Sequence, residues 1–138
     1  MAIDLQRQRE YRAKTNNAAT KKYERTKKGK LMRLYRNMTS RVSGIQKKKA
    51  HLYEGKEILA KSSFYEWALA SQEFHVMFDA WEASDYDRKL TPTVDRIDSS
   101  QGYCVENMRW LTHSENSRLG AINRKWAQRR EQLERKAA

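Results

Sequence analysis

Residues 92–120 read PTVDRIDSSQGYCVENMRWLTHSENSRLG, a run in which two strand-like segments, a turn and a helix start follow one another. After Pro92, the run Thr93, Val94, Asp95, Arg96, Ile97, Asp98 predicts a short strand with Val94 and Ile97 partly buried. Ser99, Ser100, Gln101 and Gly102 supply a turn. A second strand is expected at about 108–111, directly after Asn107. Thr112 to Glu115 then has the form of a capping box, in which a hydroxyl and a carboxylate satisfy backbone amides at a helix start. A long helix is therefore predicted from about His113, with Asn116 in its first turn.

Working outward, Ser63 to Glu66 has the same box form and is followed by Trp67, Leu69, Phe74, Met77, Phe78 and Trp81. One or two buried helices are predicted over about 64–82, their aromatic stripe forming core rather than a base-stacking platform. Leu119, Ile122, Trp126 and Leu133 predict that the last helix docks on that core, with Arg118, Arg124, Lys125, Arg129, Arg130 and Arg135 on its other face. Near the start, Tyr23, Leu31, Leu34, Tyr35 and Met38 recur near helical spacing between Lys21 and Met38. Basic residues interleave with them, so one face can dock while the other meets phosphate. Residues 3–19 have few apolar anchors and read as a flexible or conditionally helical arm. The charged run at 46–49 reads as a loop or helix end. The expected fold class is α+β, mostly α: a basic N-terminal arm and helix (1–50), a helical packing region (51–91), and a hairpin-and-helix unit (92–138).

Composition narrows the partners. The chain has 138 residues, with 29 Lys and Arg against 17 Asp and Glu, a net charge of +12 and a pI near 10.0. A large multidomain machine is excluded at this length. Residues 1–50 hold 16 basic and three acidic side chains, while residues 51–100 hold five and ten. A basic arm beside an acidic middle makes nucleic acid the default partner. The single cysteine, Cys104, excludes an internal disulfide and the paired cysteines of a zinc knuckle. With no apolar run of spanning length and no secretory h-region, an intracellular, cytoplasmic protein without membrane attachment is expected.

The run Pro92 to Asp98, then Gly102 and Tyr103, Glu106 to Trp110, and Thr112 to Asn116 resembles the HNH branch of the ββα-metal endonucleases, especially small phage and homing-type members. The resemblance covers about 29 residues strongly, from 92 to 120. It implies a ββα-metal motif and a metal-dependent DNA endonuclease, with Asp95 and Asn116 as metal ligands and Asn107 as the central asparagine. Oxygen ligands of this kind suit Mg2+ or Mn2+, which keep several waters. One position departs from the pattern: where the family carries its general-base histidine, directly after the acidic ligand, this chain has Arg96. Arginine stays protonated and cannot take a proton from water, but its fork of donors suits a phosphate, and Arg96 is expected to contact the scissile phosphate. Another group is then the base, or metal-bound water ionises unaided, or the protein binds without cutting. His113 is the nearby candidate base.

Duplex DNA is the expected partner, with Lys21, Lys22, Arg25, Lys27, Lys28, Lys30, Arg33, Arg36, Lys47, Lys48 and Lys49 contacting its backbone. Two other classes stay open. One is a non-catalytic nucleic-acid-binding protein on the same scaffold. The other is a basic packaging or interaction protein in which the HNH-like stretch is a fold remnant.

Overall fold

A computed structural model describes residues 4–14, 18–45 and 53–137. The architecture is mostly helical with one small antiparallel sheet. In chain order the elements are α1 (Leu5–Lys14), α2 (Ala18–Glu24), α3 (Lys27–Val42), α4 (Lys61–Ala70), α5 (Gln72–Ala83), β1 (Pro92–Arg96), β2 (Met108–Thr112) and α6 (His113–Ala137). Short 3-10 turns at Arg88–Leu90 and Val105–Asn107 lead into the two strands. No helix among the described residues is long and apolar enough to cross a membrane.

The N-terminal helical stretch is two helices rather than the single one expected from Lys21 onward. Thr26 separates them: its extended backbone leaves the helix, and its hydroxyl accepts from the Gly29 amide at 3.1 Å, capping α3. Helix α3 then turns Leu31 and Met38 inward, and both are fully buried. The aromatic segment also divides in two, at Ser71. The box at Ser63 and Glu66 is not used as predicted, because α4 begins three residues earlier, after Ala60, without a side-chain cap.

One core joins all these parts. Leu31 and Met38 of α3, Phe64 and Ala68 of α4, Phe74, Phe78 and Trp81 of α5, and Val94, Tyr103, Met108 and Trp110 of the hairpin form a single buried cluster. Within it Trp110 is stacked on Trp67 at 5.2 Å and tilted against Phe74 at 4.8 Å. Rings at these separations add to the apolar area that they bury. Leu69 and Ile97, both expected to be at least partly inside, are exposed. Leu69 lies one residue beyond the buried Ala68, on the outer side of α4, and Ile97 follows the last paired residue of β1.

The strands pair in register from Pro92 opposite Thr112 to Arg96 opposite Met108. A segment that the sequence did not announce braces the loop between them. Tyr103 donates its amide to the Glu57 carbonyl at 2.7 Å and accepts from the Leu59 amide at 2.9 Å, a parallel bridge centred on Ile58. Gly102 permits this approach, since a Cβ there would run into the Glu57 backbone.

Candidate functional site

Asn107 is buried between the strands, and all its side-chain polar atoms are used. Its Nδ2 donates to the carbonyls of Asp98 at 3.0 Å and Gly102 at 2.8 Å, and its Oδ1 accepts from the Asp98 amide at 2.8 Å. Asn107 therefore fixes both ends of the loop after β1. Asp98 shapes the same loop, accepting from the Ser100 amide at 2.9 Å and hydroxyl at 2.6 Å. Those two bonds hold its carboxyl below the usual range.

The box after β2 forms as the sequence predicts. Glu115 donates its amide to Thr112 Oγ1 at 3.1 Å, while its carboxylate accepts from the Thr112 amide at 3.1 Å and hydroxyl at 2.9 Å. The bonds from Thr112, the backbone one foremost, hold the Glu115 carboxyl below its ordinary value. This start, and the bond from the His113 amide to the Thr91 carbonyl at 2.9 Å, set the first turns of α6 beside β1. His113, Asn116 and Ser117 there line a cavity of about 590 Å³, whose far wall is α3. Its lining carries three arginines, Arg33, Arg41 and Arg124, and the buried Lys30, against one acid, Glu24. That balance favours an anion.

Asp95 stands on β1 opposite Arg109, whose Nε donates to Asp95 Oδ2 at 2.9 Å. It does not line the cavity, although Thr93, on the same strand face by alternation, does. Arg96 is on the opposite face of β1, almost buried. Its guanidinium lies 4.0 Å from the Tyr53 ring centre and donates to the Gln101 carbonyl at 2.9 Å. Among the predicted site residues, His113 and Asn116 are thus brought together. Asn107 orders the loop at the far end of the strand pair, Asp95 is tied to Arg109, and Arg96 is turned towards the braced loop.

Several of the predicted phosphate-binding cations have partners inside the protein. Arg25 lies over the Tyr86 ring at 4.2 Å and Lys30 over Trp81 at 4.3 Å. Lys30 is buried, a correction to its expected place on an outward basic face, and desolvation lowers its pKa from the ordinary value, with Glu24 opposing the shift. Lys27 donates to His75 Nδ1 at 2.8 Å, with His75 Nε2 donating in turn to the Leu69 carbonyl at 2.7 Å. Arg33 pairs with Glu24 at 3.5 Å but remains exposed. Lys21, Lys22, Lys28 and Arg36 are exposed as well. Lys47, Lys48 and Lys49 lie outside the described residues.

Sequence reasoning missed Arg41 and Tyr53. Arg41 reaches both the cavity and the Tyr103 hydroxyl, to which it donates at 3.3 Å, and Tyr53 stacks on Tyr103 at 6.4 Å. Their contacts with Tyr103 span 62 and 50 residues, and no local pattern signals them.

Among the described residues, no three His, Cys, Asp or Glu side chains cluster at metal-binding separation. Of the two residues expected to hold an ion, Asn116 lines the cavity, while Asp95 on the neighbouring strand is paired with Arg109; one carboxylate and one amide oxygen are a donor set suited to a hard ion that retains most of its waters. Comparison of the chain with family models, curated proteins and solved structures finds no match.

Proposed function

We propose that this chain binds duplex DNA and hydrolyses its phosphodiester bonds as a divalent-metal-dependent endonuclease of the HNH type. The observation that carries the reading is the cavity where His113 and Asn116 meet Arg33, Arg41 and Arg124. In this reading the three arginines draw a backbone phosphate to the start of α6. Asp95 and Asn116 would hold Mg2+ or Mn2+, and Arg109 yields part of its hold on Asp95. Such an ion, when bound, supplies charge stabilisation at the phosphate and acidifies a water. His113 would be the group positioned to take a proton from the attacking water. The exposed Lys21, Lys22, Lys28 and Arg36, with Lys47, Lys48 and Lys49, hold the duplex away from the reacting bond, giving affinity but little sequence preference.

The test is plasmid cleavage with Mg2+, Mn2+ or a chelator. Cleavage should require the ion and disappear in Asp95→Ala while DNA binding persists, because the carboxylate acts on the transition state and affinity comes from the remote cations. A second reading, a nucleic-acid-binding protein that does not cut, is favoured by the two arginines beside the acid: Arg109 occupies Asp95, and Arg96 is spent on Tyr53 and Gln101. Tight DNA binding without cleavage under any of these conditions would establish that second reading.

A further inference from the structure

Past Arg124, which still lines the cavity, the last helix leaves the body of the protein. Every side chain from Ile122 to Ala137 is exposed, and α6 buries none of its residues. This corrects the expectation that Trp126 docks the helix on the core: Ile122, Trp126 and Leu133 are 42, 57 and 59% exposed. Leu119, Ile122, Trp126 and Leu133 nevertheless follow one another at intervals of three, four and seven, with Arg129 in the one remaining slot. That spacing is the seam of a helix built to lie along another helix. The positions bordering the seam are Arg118, Asn123, Lys125, Arg130 and Gln132, with no acid among them. Glu131 and Glu134 stand away from it, Glu131 paired with Arg135 at 2.7 Å.

Three occupants can be weighed by charge. A second copy of α6 would set Lys125 against Arg130 if the helices ran parallel, and Lys125 against Arg118 if they ran antiparallel, and like charges at these positions oppose pairing. A nucleic acid would satisfy the cations but leave the apolar seam without apolar cover. An amphipathic helix with carboxylates beside its own seam satisfies both. We propose that residues 118–133 of α6 form a docking surface for an acidic amphipathic helix of a protein partner. Apolar residues of that helix would pack on Ile122, Trp126 and Leu133, and its carboxylates would face Arg118, Lys125 and Arg130. The proposal is independent of the nuclease reading.

The test uses the full chain and two synthetic three-heptad helices with leucine at both seam positions. One carries glutamate at the flanking positions and the other lysine. Calorimetry should detect binding of the glutamate peptide only, weakened by salt. Trp126→Ala should reduce that affinity by about tenfold or more, with unchanged far-ultraviolet circular dichroism because the side chain is exposed. Reversing Arg118, Lys125 and Arg130 to glutamate should transfer binding to the lysine peptide. The proposal is overturned if neither peptide binds, if both bind equally, or if Trp126→Ala has no effect. Sedimentation showing a dimer that Trp126→Ala dissolves would overturn it in favour of a second copy. Failure of the peptide to bind where duplex DNA binding is lost in the reversed variant would assign the face to nucleic acid.

Discussion

Arg109 and Asp95 face one another across the strand pair, and the guanidinium Nε donates to the carboxylate at 2.9 Å. The pair sits at the surface, so its contribution to stability is small, under about 1 kcal/mol. Its chemical effect is larger, because a cation beside a carboxylate competes with any metal for the same charge. Arg109→Gln keeps a donor and removes the charge. If Asp95 holds the ion, this variant should reach half-maximal cleavage at a lower Mg2+ concentration, with a melting temperature close to that of the wild type. An unchanged metal dependence would remove the pair from control of the site.

Asn107→Leu should be among the most damaging single changes in the hairpin. It keeps roughly the volume but strands the Asp98 amide and the carbonyls of Asp98 and Gly102 without their side-chain partner. At about 1–3 kcal/mol for a buried group left unpaired, a total loss of about 3 kcal/mol or more is expected in urea unfolding. A loss below about 1 kcal/mol would show that the loop holds without this residue.

The box at the start of α6 makes stability depend on acid. The folded Glu115 pKa lies below its ordinary value, so the folded state binds fewer protons there than the unfolded chain. Its contribution is complete above the ordinary glutamate range and is lost as pH falls through the lower folded value. Thr112→Val removes the hydroxyl and should cost about 1 kcal/mol at neutral pH. The gap between wild type and variant should narrow as the pH is lowered from about 6 to about 3, measured by thermal melts across that range. A gap constant with pH would contradict the assignment.

Lys30 gives the opposite dependence. Burial lowers its folded pKa, so between that value and the unfolded one the unfolded chain holds the extra proton, and wild-type stability should rise with pH across this alkaline window. Lys30→Met keeps the stem over Trp81 and removes the charge. It should raise stability at neutral pH by about 1 kcal/mol and flatten the alkaline rise, without loss of DNA affinity. Weakened DNA binding in this variant would return Lys30 to the phosphate-facing set.

Removing residues 1–20 should weaken DNA binding and reduce its salt dependence. The segment carries Arg7, Arg9, Arg12 and Lys14, and the described side chains of α1 are exposed. Each lost phosphate contact lowers the slope of log K against log salt by about 0.9 for duplex DNA. The same slope after truncation would take the arm out of the interface.

The parts of the fold that were legible in the sequence are those fixed by near neighbours. Thr112 and Glu115 find each other three residues apart, and the pairing of 92–96 with 108–112 is decided by the short turn-rich stretch between them. The Ser63 and Glu66 pair has the same spacing yet makes no cap, because the Ala60 backbone starts the helix first. Apolar spacing also marks what a helix can cover without saying whether anything lies opposite. Leu31 and Met38 found a core, whereas Trp126 and Leu133, spaced as regularly, run past its end. In the candidate site, His113 and Asn116 share a wall because one helical turn joins them. The Arg41 contact with Tyr103 and the stacking of Arg96 on Tyr53 depend on chain segments that only the folded molecule brings together.

The bracing of Tyr103 by Glu57 and Leu59 bears on whether the unit from Pro92 onward can be transplanted. The loop held by Asn107 closes against backbone supplied more than 40 residues earlier, in a contact that leaves no space for a side chain on Gly102. An excised fragment of residues 92–137 would keep its turn and its capped helix but lose one wall of the loop and the aromatic bed beneath Trp110. The site is therefore not a portable cassette. Its assembly waits on long-range closure, so grafting it onto another scaffold requires carrying over the strand-like segment at 57–59 as well.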